Sequence, residues 1–266
     1  MEIIESPFDP RIAEFANLNG KKEKGDFFIC DNEKATVRLL ESNFDVPSIF
    51  CLSKYFKKHQ NLIEDRLYKG SSCYVADTSV FNQIVGFSVH QGFMALGKKQ
   101  WVSEKELSFP QIYFDTIADS ENVGSMIRVA TAFGVNDLVF DHRTASPYLR
   151  RSVRVSMGTI FNTKIALEDD LIQTFTSSKR KEIVKICLSL PKSDSNLRAK
   201  TIPISELPVL DEFVIVVGNE ADGIRSEILE ASDILAYIPM QRGIDSLNVS
   251  HALAVALSKI RQFHVF

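Results

Sequence analysis

Apolar and polar positions follow two rhythms along this chain, and the rhythm changes near residue 100. In the second half, short apolar runs alternate with segments of helical period. Strands are predicted at Ile112–Thr116, Asp137–Phe140, Ile183–Leu188, Phe213–Val217 and Ile234–Ile238, and helices at Val123–Phe133, Leu149–Met157, Leu171–Ser178, Ile224–Ala231 and Val249–Phe263. A run such as Phe213-Val-Ile-Val-Val217 has no polar face, so both of its faces are buried. This alternation predicts an α/β fold with a doubly wound parallel sheet, whose ligands bind beyond the carboxyl ends of the strands.

The first half reads as a smaller α/β domain with a mobile leading arm. It has helical patterns at Glu33–Ser42 and Phe81–Val85, and strands at Ser48–Leu52, Cys73–Ala76 and Phe93–Leu96. The polar stretch Gly97–Ser108 lacks periodicity. The expected organisation is a domain over 1–100, a linker over 101–110 and a second domain over 111–266.

Composition narrows the class. The 266 residues are 45% hydrophobic and 24% charged, which excludes wholesale disorder. With 31 basic against 34 acidic side chains the net charge is −3, so any contact with nucleic acid rests on local patches. Cys30, Cys51, Cys73 and Cys187 share no CxxC spacing, which predicts buried, reduced thiols and no metal centre. Glu2 and Glu5 stand where a signal peptide needs basic residues, and no apolar run approaches the ~20 residues of a membrane span. A cytoplasmic protein outside the membrane is expected.

Three motifs follow strands. The first is Asn122-Val-Gly124-Ser-Met-Ile-Arg128, opening a helix. Asn122 and Arg128, six residues apart, would stand about 240° apart on one helix, so they converge only if Asn122 sits at or before the N-cap. The second is Gly218-Asn-Glu220-Ala-Asp-Gly223, a glycine-rich strand-to-helix turn without the dinucleotide fingerprint or a P-loop lysine. The third is Ile238-Pro-Met240 followed by Ser246-Leu-Asn248-Val-Ser250, where Pro239 ends the strand. Taken singly, each also reads as plain structure: a helix cap, a left-handed turn, a Ser/Asn N-cap.

In this order and spacing the set resembles the SpoU (TrmH) family of RNA ribose 2′-O-methyltransferases, over Gln111 to Phe266. The first half, through His90-Gln91-Gly92-Phe-Met-Ala-Leu96, is similar to that family's L30e-like RNA-binding domain. The resemblance implies a C-terminal trefoil knot, a homodimer formed through the catalytic domain, and S-adenosylmethionine as cofactor. It implies that Gly218, Asn219, Glu220, Ile238, Met240, Ser246 and Leu247 hold the cofactor. It also implies that Arg128, with Asn122, Glu220, Ser246 and Asn248, serves transfer of a methyl group to a ribose 2′-hydroxyl. Ribosomal RNA is the expected substrate ahead of transfer RNA, and no metal is implied.

Arg143, Arg150, Arg151 and Arg154, with Tyr148 for base stacking, and His90 and Gln91, are the candidate RNA contacts; a solvated basic helix face is the alternative for the arginines. The competing reading of the whole chain is an RNA-binding or ribosome-assembly protein of the same fold without catalysis.

Overall fold

In the computed structural model, residues 1–16, 18, 25–86, 88, 91–177, 183–191, 194–244 and 246–261 are described. In chain order, β1 (Glu2–Ile3), β2 (Phe27–Cys30), α1 (Glu33–Glu41), β3 (Ser48–Leu52), α2 (Ser53–Lys58), α3 (Gln60–Tyr68), β4 (Ser72–Ala76), α4 (Thr78–Val85) and β5 (Phe93–Lys98) make up most of a first compact unit. Then come β6 (Gln111–Asp115), α5 (Ser120–Ala132), β7 (Asp137–Asp141), α6 (Arg150–Val155), β8 (Lys164–Glu168) and α7 (Leu171–Ser177). The chain ends with β9 (Val184–Leu188), α8 (Ser195–Ala199), β10 (Thr201–Pro203), β11 (Phe213–Gly218), α9 (Ser226–Ala231), β12 (Ile234–Tyr237) and α10 (Val249–Ile260). One compact unit is Met1–Gln100 with Pro147–Phe161; the other is Trp101–Ser146 with Asn162–Phe266.

The first unit holds a mixed sheet in the order β1-β4-β3-β5-β2, parallel from β1 to β3 and antiparallel beyond. The expected mobile arm is corrected here over residues 1–16. Ile3 pairs with Val75, and Ile4, Ile12 and Phe15 are buried, because their side chains complete this unit's core. Lys21, Lys22 and Lys24 lie outside the described residues. Arg66 is buried against the end of α1, donating from Nε to the Leu40 carbonyl (2.7 Å), from Nη1 to Phe44 (3.0 Å) and from Nη2 to Leu39 (3.1 Å) and Ser42. Leu39, Leu40 and Ser42 stand at the end of α1, where carbonyls lack donors four residues on, and Phe44 follows just after it.

Residues 147–161, expected within the second domain, pack in the first unit. Tyr148 is 1% exposed, stacks on Phe28 at 5.2 Å and donates its hydroxyl to the Gln100 carbonyl at 2.6 Å. Its proposed role as a base-stacking platform is therefore corrected: an aromatic ring this deeply buried offers no face to a base.

The second unit is built on seven parallel strands in the order β10-β12-β9-β11-β6-β7-β8, the doubly wound sheet expected. Every residue of β11 is buried, as its all-apolar composition requires. The stretch expected as a featureless linker contains a 3₁₀ turn at Glu104–Glu106, closed by a reciprocal capping box between Ser103 and Glu106. Among the described residues no helix is long and apolar enough to cross a membrane.

Candidate active site at the carboxyl ends of the parallel strands

Parallel strands deliver their chain ends to one edge of the sheet, and a crevice opens where the winding direction reverses. Here β7 and β8 continue outward from β6 on one side, while β11, β9 and β12 lie on the other. The segments leaving β9, β11 and β12 and the start of α10 enclose a cleft of about 330 Å³. Small-molecule sites span roughly 300–1,000 Å³, so the cleft admits a compact ligand. All seven residues expected to hold a cofactor line it: Gly218, Asn219, Glu220, Ile238, Met240, Ser246 and Leu247.

Its floor is the turn after β11. A Cβ on Gly218 would stand 2.5 Å from Ile224 Cγ1 and 2.6 Å from the Gly223 carbonyl carbon and oxygen, so only glycine fits. Gly223 turns the chain with φ +75°. Asn219 and Gly223 exchange backbone hydrogen bonds of 3.1 and 2.9 Å, closing a tight loop with Glu220 at its tip. The Asn219 side chain stiffens that loop, accepting from the Ala221 and Asp222 N–H groups (2.8 and 3.2 Å) and donating to the Thr116 carbonyl (2.8 Å).

The three motifs meet in one hydrogen-bonded chain. Asn122 donates from Nδ2 to Glu220 Oε1 at 2.5 Å, and its Oδ1 accepts from Asn248 Nδ2 at 2.9 Å. The Oδ1 of Asn248 accepts from the N–H (2.9 Å) and hydroxyl (2.7 Å) of Ser250. The carboxylate of Glu220 only accepts, so it fixes the direction of every bond in the chain. Asn248 caps α10 and takes part in the site at once.

Arg128 is not part of this chain. Asp119, not Asn122, is the N-cap of α5, its Oδ1 accepting from the Glu121 N–H at 2.8 Å. The condition for Asn122 and Arg128 to converge within one copy, Asn122 at or before the N-cap, is therefore not met. With Asn122 in the first turn, Arg128 emerges about 240° around the axis from it. Arg128 is exposed, and among the described residues its guanidinium makes no hydrogen bond or ion pair.

Sequence reasoning missed the groups behind the loop. Asp115 and Asp141, last residues of β6 and β7, have wholly buried carboxylates. Arg225 bridges them, Nε donating to Asp115 Oδ1 (2.7 Å), the N–H to Asp115 Oδ2 (2.9 Å) and Nη2 to Asp141 Oδ2 (2.6 Å). Burial opposes the charge on Asp141, yet the side-chain and backbone donors of Arg143, and the charge of Arg225, hold its carboxyl below the usual range. The signal was present: two apolar strands each end in Phe-Asp, at Phe114-Asp115 and Phe140-Asp141.

The candidate RNA contacts are dispersed. Arg143 lies in the second unit on Asp141, whereas Arg150, Arg151 and Arg154 lie in the first. There Arg150 and Arg154 pair through Nε with the nearly buried Asp31 carboxylate, at 3.4 and 3.1 Å, while Arg151 and Arg154 stay exposed. Gln91 accepts the Glu33 N–H at 3.0 Å at the start of α1. His90 lies outside the described residues. All four thiols are free and buried, and burial pushes Cys30 and Cys187 up to about 12.

Comparison with known proteins adds to this geometry. Residues 110–258 match the SpoU rRNA Methylase family. The chain is 25% identical over 265 residues to the 23S rRNA (guanosine(2553)-2′-O)-methyltransferase RlmP of Bacillus subtilis, covering 98% of this chain and 100% of that protein. It is 28% identical over 262 residues to an uncharacterized tRNA/rRNA methyltransferase of Mycobacterium bovis, covering 94% and 88%. Its fold is that of the AdoMet-bound rRNA methyltransferase of Sinorhizobium meliloti, with a TM-score of 0.82, 18% identity, and 97% and 96% of the two chains covered.

Proposed function

The chain belongs to the SpoU rRNA Methylase family, and from that premise we propose that it is an enzyme moving a methyl group from S-adenosylmethionine to a ribose 2′-hydroxyl of structured ribosomal RNA. The observation that carries this reading is the chain Asn248–Asn122–Glu220, which draws three separate motifs to the edge of one cleft. The cleft suits the cofactor: strand ends at Gly218 and Ile238 offer backbone donors and acceptors to an adenosine, beside the apolar Leu188 and Leu247. When bound, the cofactor supplies a methyl group made electrophilic by a cationic sulfur.

A ribose hydroxyl is a poor nucleophile near pH 7, so the chain must orient it and relieve the charge that develops on its oxygen. Arg128 offers only donors and no free lone pair to take up a proton, which makes it a poor base. Its role is to stabilise the forming alkoxide and clamp the neighbouring phosphate. Asn122, Glu220, Ser246 and Asn248 preset the polar wall the ribose meets.

The working unit in this reading is a homodimer through the second unit. Arg128 faces away from Asn122 in one copy, and Ile244, Leu247 and Val255 leave large apolar side chains exposed around α10. A second copy would bring its own Arg128 to the Asn122–Glu220 chain. The C-terminal knot, an L30e-like first unit that binds RNA through His90, Gln91, Arg150, Arg151 and Arg154, an RNA contact at Arg143, and action in the cytoplasm complete the proposal.

Purified protein is incubated with methyl-labelled S-adenosylmethionine and, separately, unmodified ribosomal or transfer RNA, and the label is mapped. Label on a ribose 2′-oxygen of ribosomal RNA, lost in Arg128→Ala, supports the reading; label on transfer RNA alone moves the substrate. Absence of both label and cofactor binding refutes methyl transfer. Mixing Arg128→Ala with Asn122→Ala copies restores activity if two copies share a site.

A further inference from the structure

We infer that Arg225 is a positioning residue for the cofactor loop, setting the loop Gly218–Gly223 against the β6–α5 segment so that Glu220 meets Asn122. The inference rests on the cofactor reading of the cleft given above. The loop is anchored at both ends to adjacent residues of one segment. At its start, Asn219 donates from Nδ2 to the Thr116 carbonyl at 2.8 Å. At its end, the Arg225 N–H and Nε donate to the two oxygens of Asp115, at 2.9 and 2.7 Å.

The second anchor has little freedom. Asp115 and Asp141 end neighbouring strands paired in fixed register, and neither carboxylate touches water. Two buried carboxylates side by side both keep their charge only with a cation between them. Arg225 supplies it, with one Nη2 within 2.6 Å of both Asp115 and Asp141. The half-exposed Arg143 also pairs with Asp141. A guanidinium fork meets both carboxylates at once while its own N–H is held; a lysine keeps the charge but not the fork. The loop's position is therefore tied to the rigid strand ends rather than to the ligand.

The test compares the full chain with Arg225→Lys. In the protein without cofactor, backbone amide exchange at Asn219 and Gly223, whose N–H groups bond to each other's carbonyls, is expected to speed up about tenfold. The Kd for S-adenosylhomocysteine, by calorimetry, should rise about tenfold while the fold remains intact by circular dichroism. Ile165→Ala, a core truncation on the edge strand β8 away from the loop, is the control for lost stability and should leave both readouts at wild-type values. Unchanged exchange and unchanged Kd in Arg225→Lys would overturn the inference, as would equal shifts in Ile165→Ala. Should the wild-type protein bind no adenosyl ligand, the cofactor reading fails by itself, and the exchange measurement still decides whether Arg225 holds the loop.

Discussion

The bond from Asn122 to Glu220 makes the sharpest demand on the proposed site. In the free protein Glu220 is exposed and Asn122 only half-buried, so water can replace the amide once it is removed. Asn122→Ala should therefore cost the fold about 1 kcal/mol, the ordinary net value of an accessible hydrogen bond. In the proposed reaction the same bond would lie under ligand and RNA, where a donor to a charged group is worth about 1.5–3 kcal/mol. A tenfold change corresponds to 1.4 kcal/mol, so the single-turnover rate should fall roughly 10- to 150-fold. Glu220→Ala should fall in the same range, and the double variant little further, because each single change already breaks the shared bond. Single-turnover transfer of labelled methyl groups gives the rates, and urea denaturation gives the stabilities. Rate losses that multiply in the double variant would show that Asn122 and Glu220 act apart. A loss of stability several times larger than expected, with the rate per folded molecule intact, would make the bond a scaffold contact only.

Gly218→Ala places a methyl group against the Gly223 backbone, which cannot swing aside as a side chain would; overpacking of this kind costs about 1–3 kcal/mol. Calorimetry should show affinity for S-adenosylhomocysteine reduced tenfold or more, and wild-type affinity would refute the packing argument. Arg66→Met removes one donor from each of four carbonyls in and just after the end of α1, and should destabilise the protein by roughly 3 kcal/mol in urea titrations. The buried thiols give a pH dependence with a definite sign. Cys30 and Cys187 stay protonated in the fold up to about 12 while the unfolded chain ionises them near 9, so their contribution is complete below 9 and is lost as pH rises. Each should remove roughly 1.4 kcal/mol per pH unit between those limits. Denaturation at pH 8, 9.5 and 10.5 checks this, and the slope must shrink in a Cys30→Ala, Cys187→Ala variant.

What the sequence reveals follows from how completely an element is enclosed. β11, apolar on both faces, was legible almost to the residue, and so were β6, β7, β9 and β12. β8 and β10 lie at the two edges of the sheet, where one side needs no partner: β8 keeps Lys164 and Leu167 exposed, and β10 ends in Pro203. Neither shows the pattern of a buried strand, so neither was foreseen. α2 was missed because six residues are too short for a periodic signal, and α3, though as long as α1, buries only Ile63 and Arg66 and so carries no apolar stripe.

The site divides along a similar line. Spacing within a segment could say that Asn122 and Arg128 cannot share a direction on one helix, and it did. It could not say which residue caps α5, and Asp119 taking that position is what separates the two. Nor could it pair residues brought together only by the sheet: Glu220 with Asn122 across 98 positions, or Arg225 with Asp115 across 110. Motif order identifies the polar groups that meet, but their division of labour is set by the strand ends. An acid closing a buried strand is the feature most worth reading, because it keeps its charge there only beside a cation, and here that cation sits at the foot of the loop that lines the cleft.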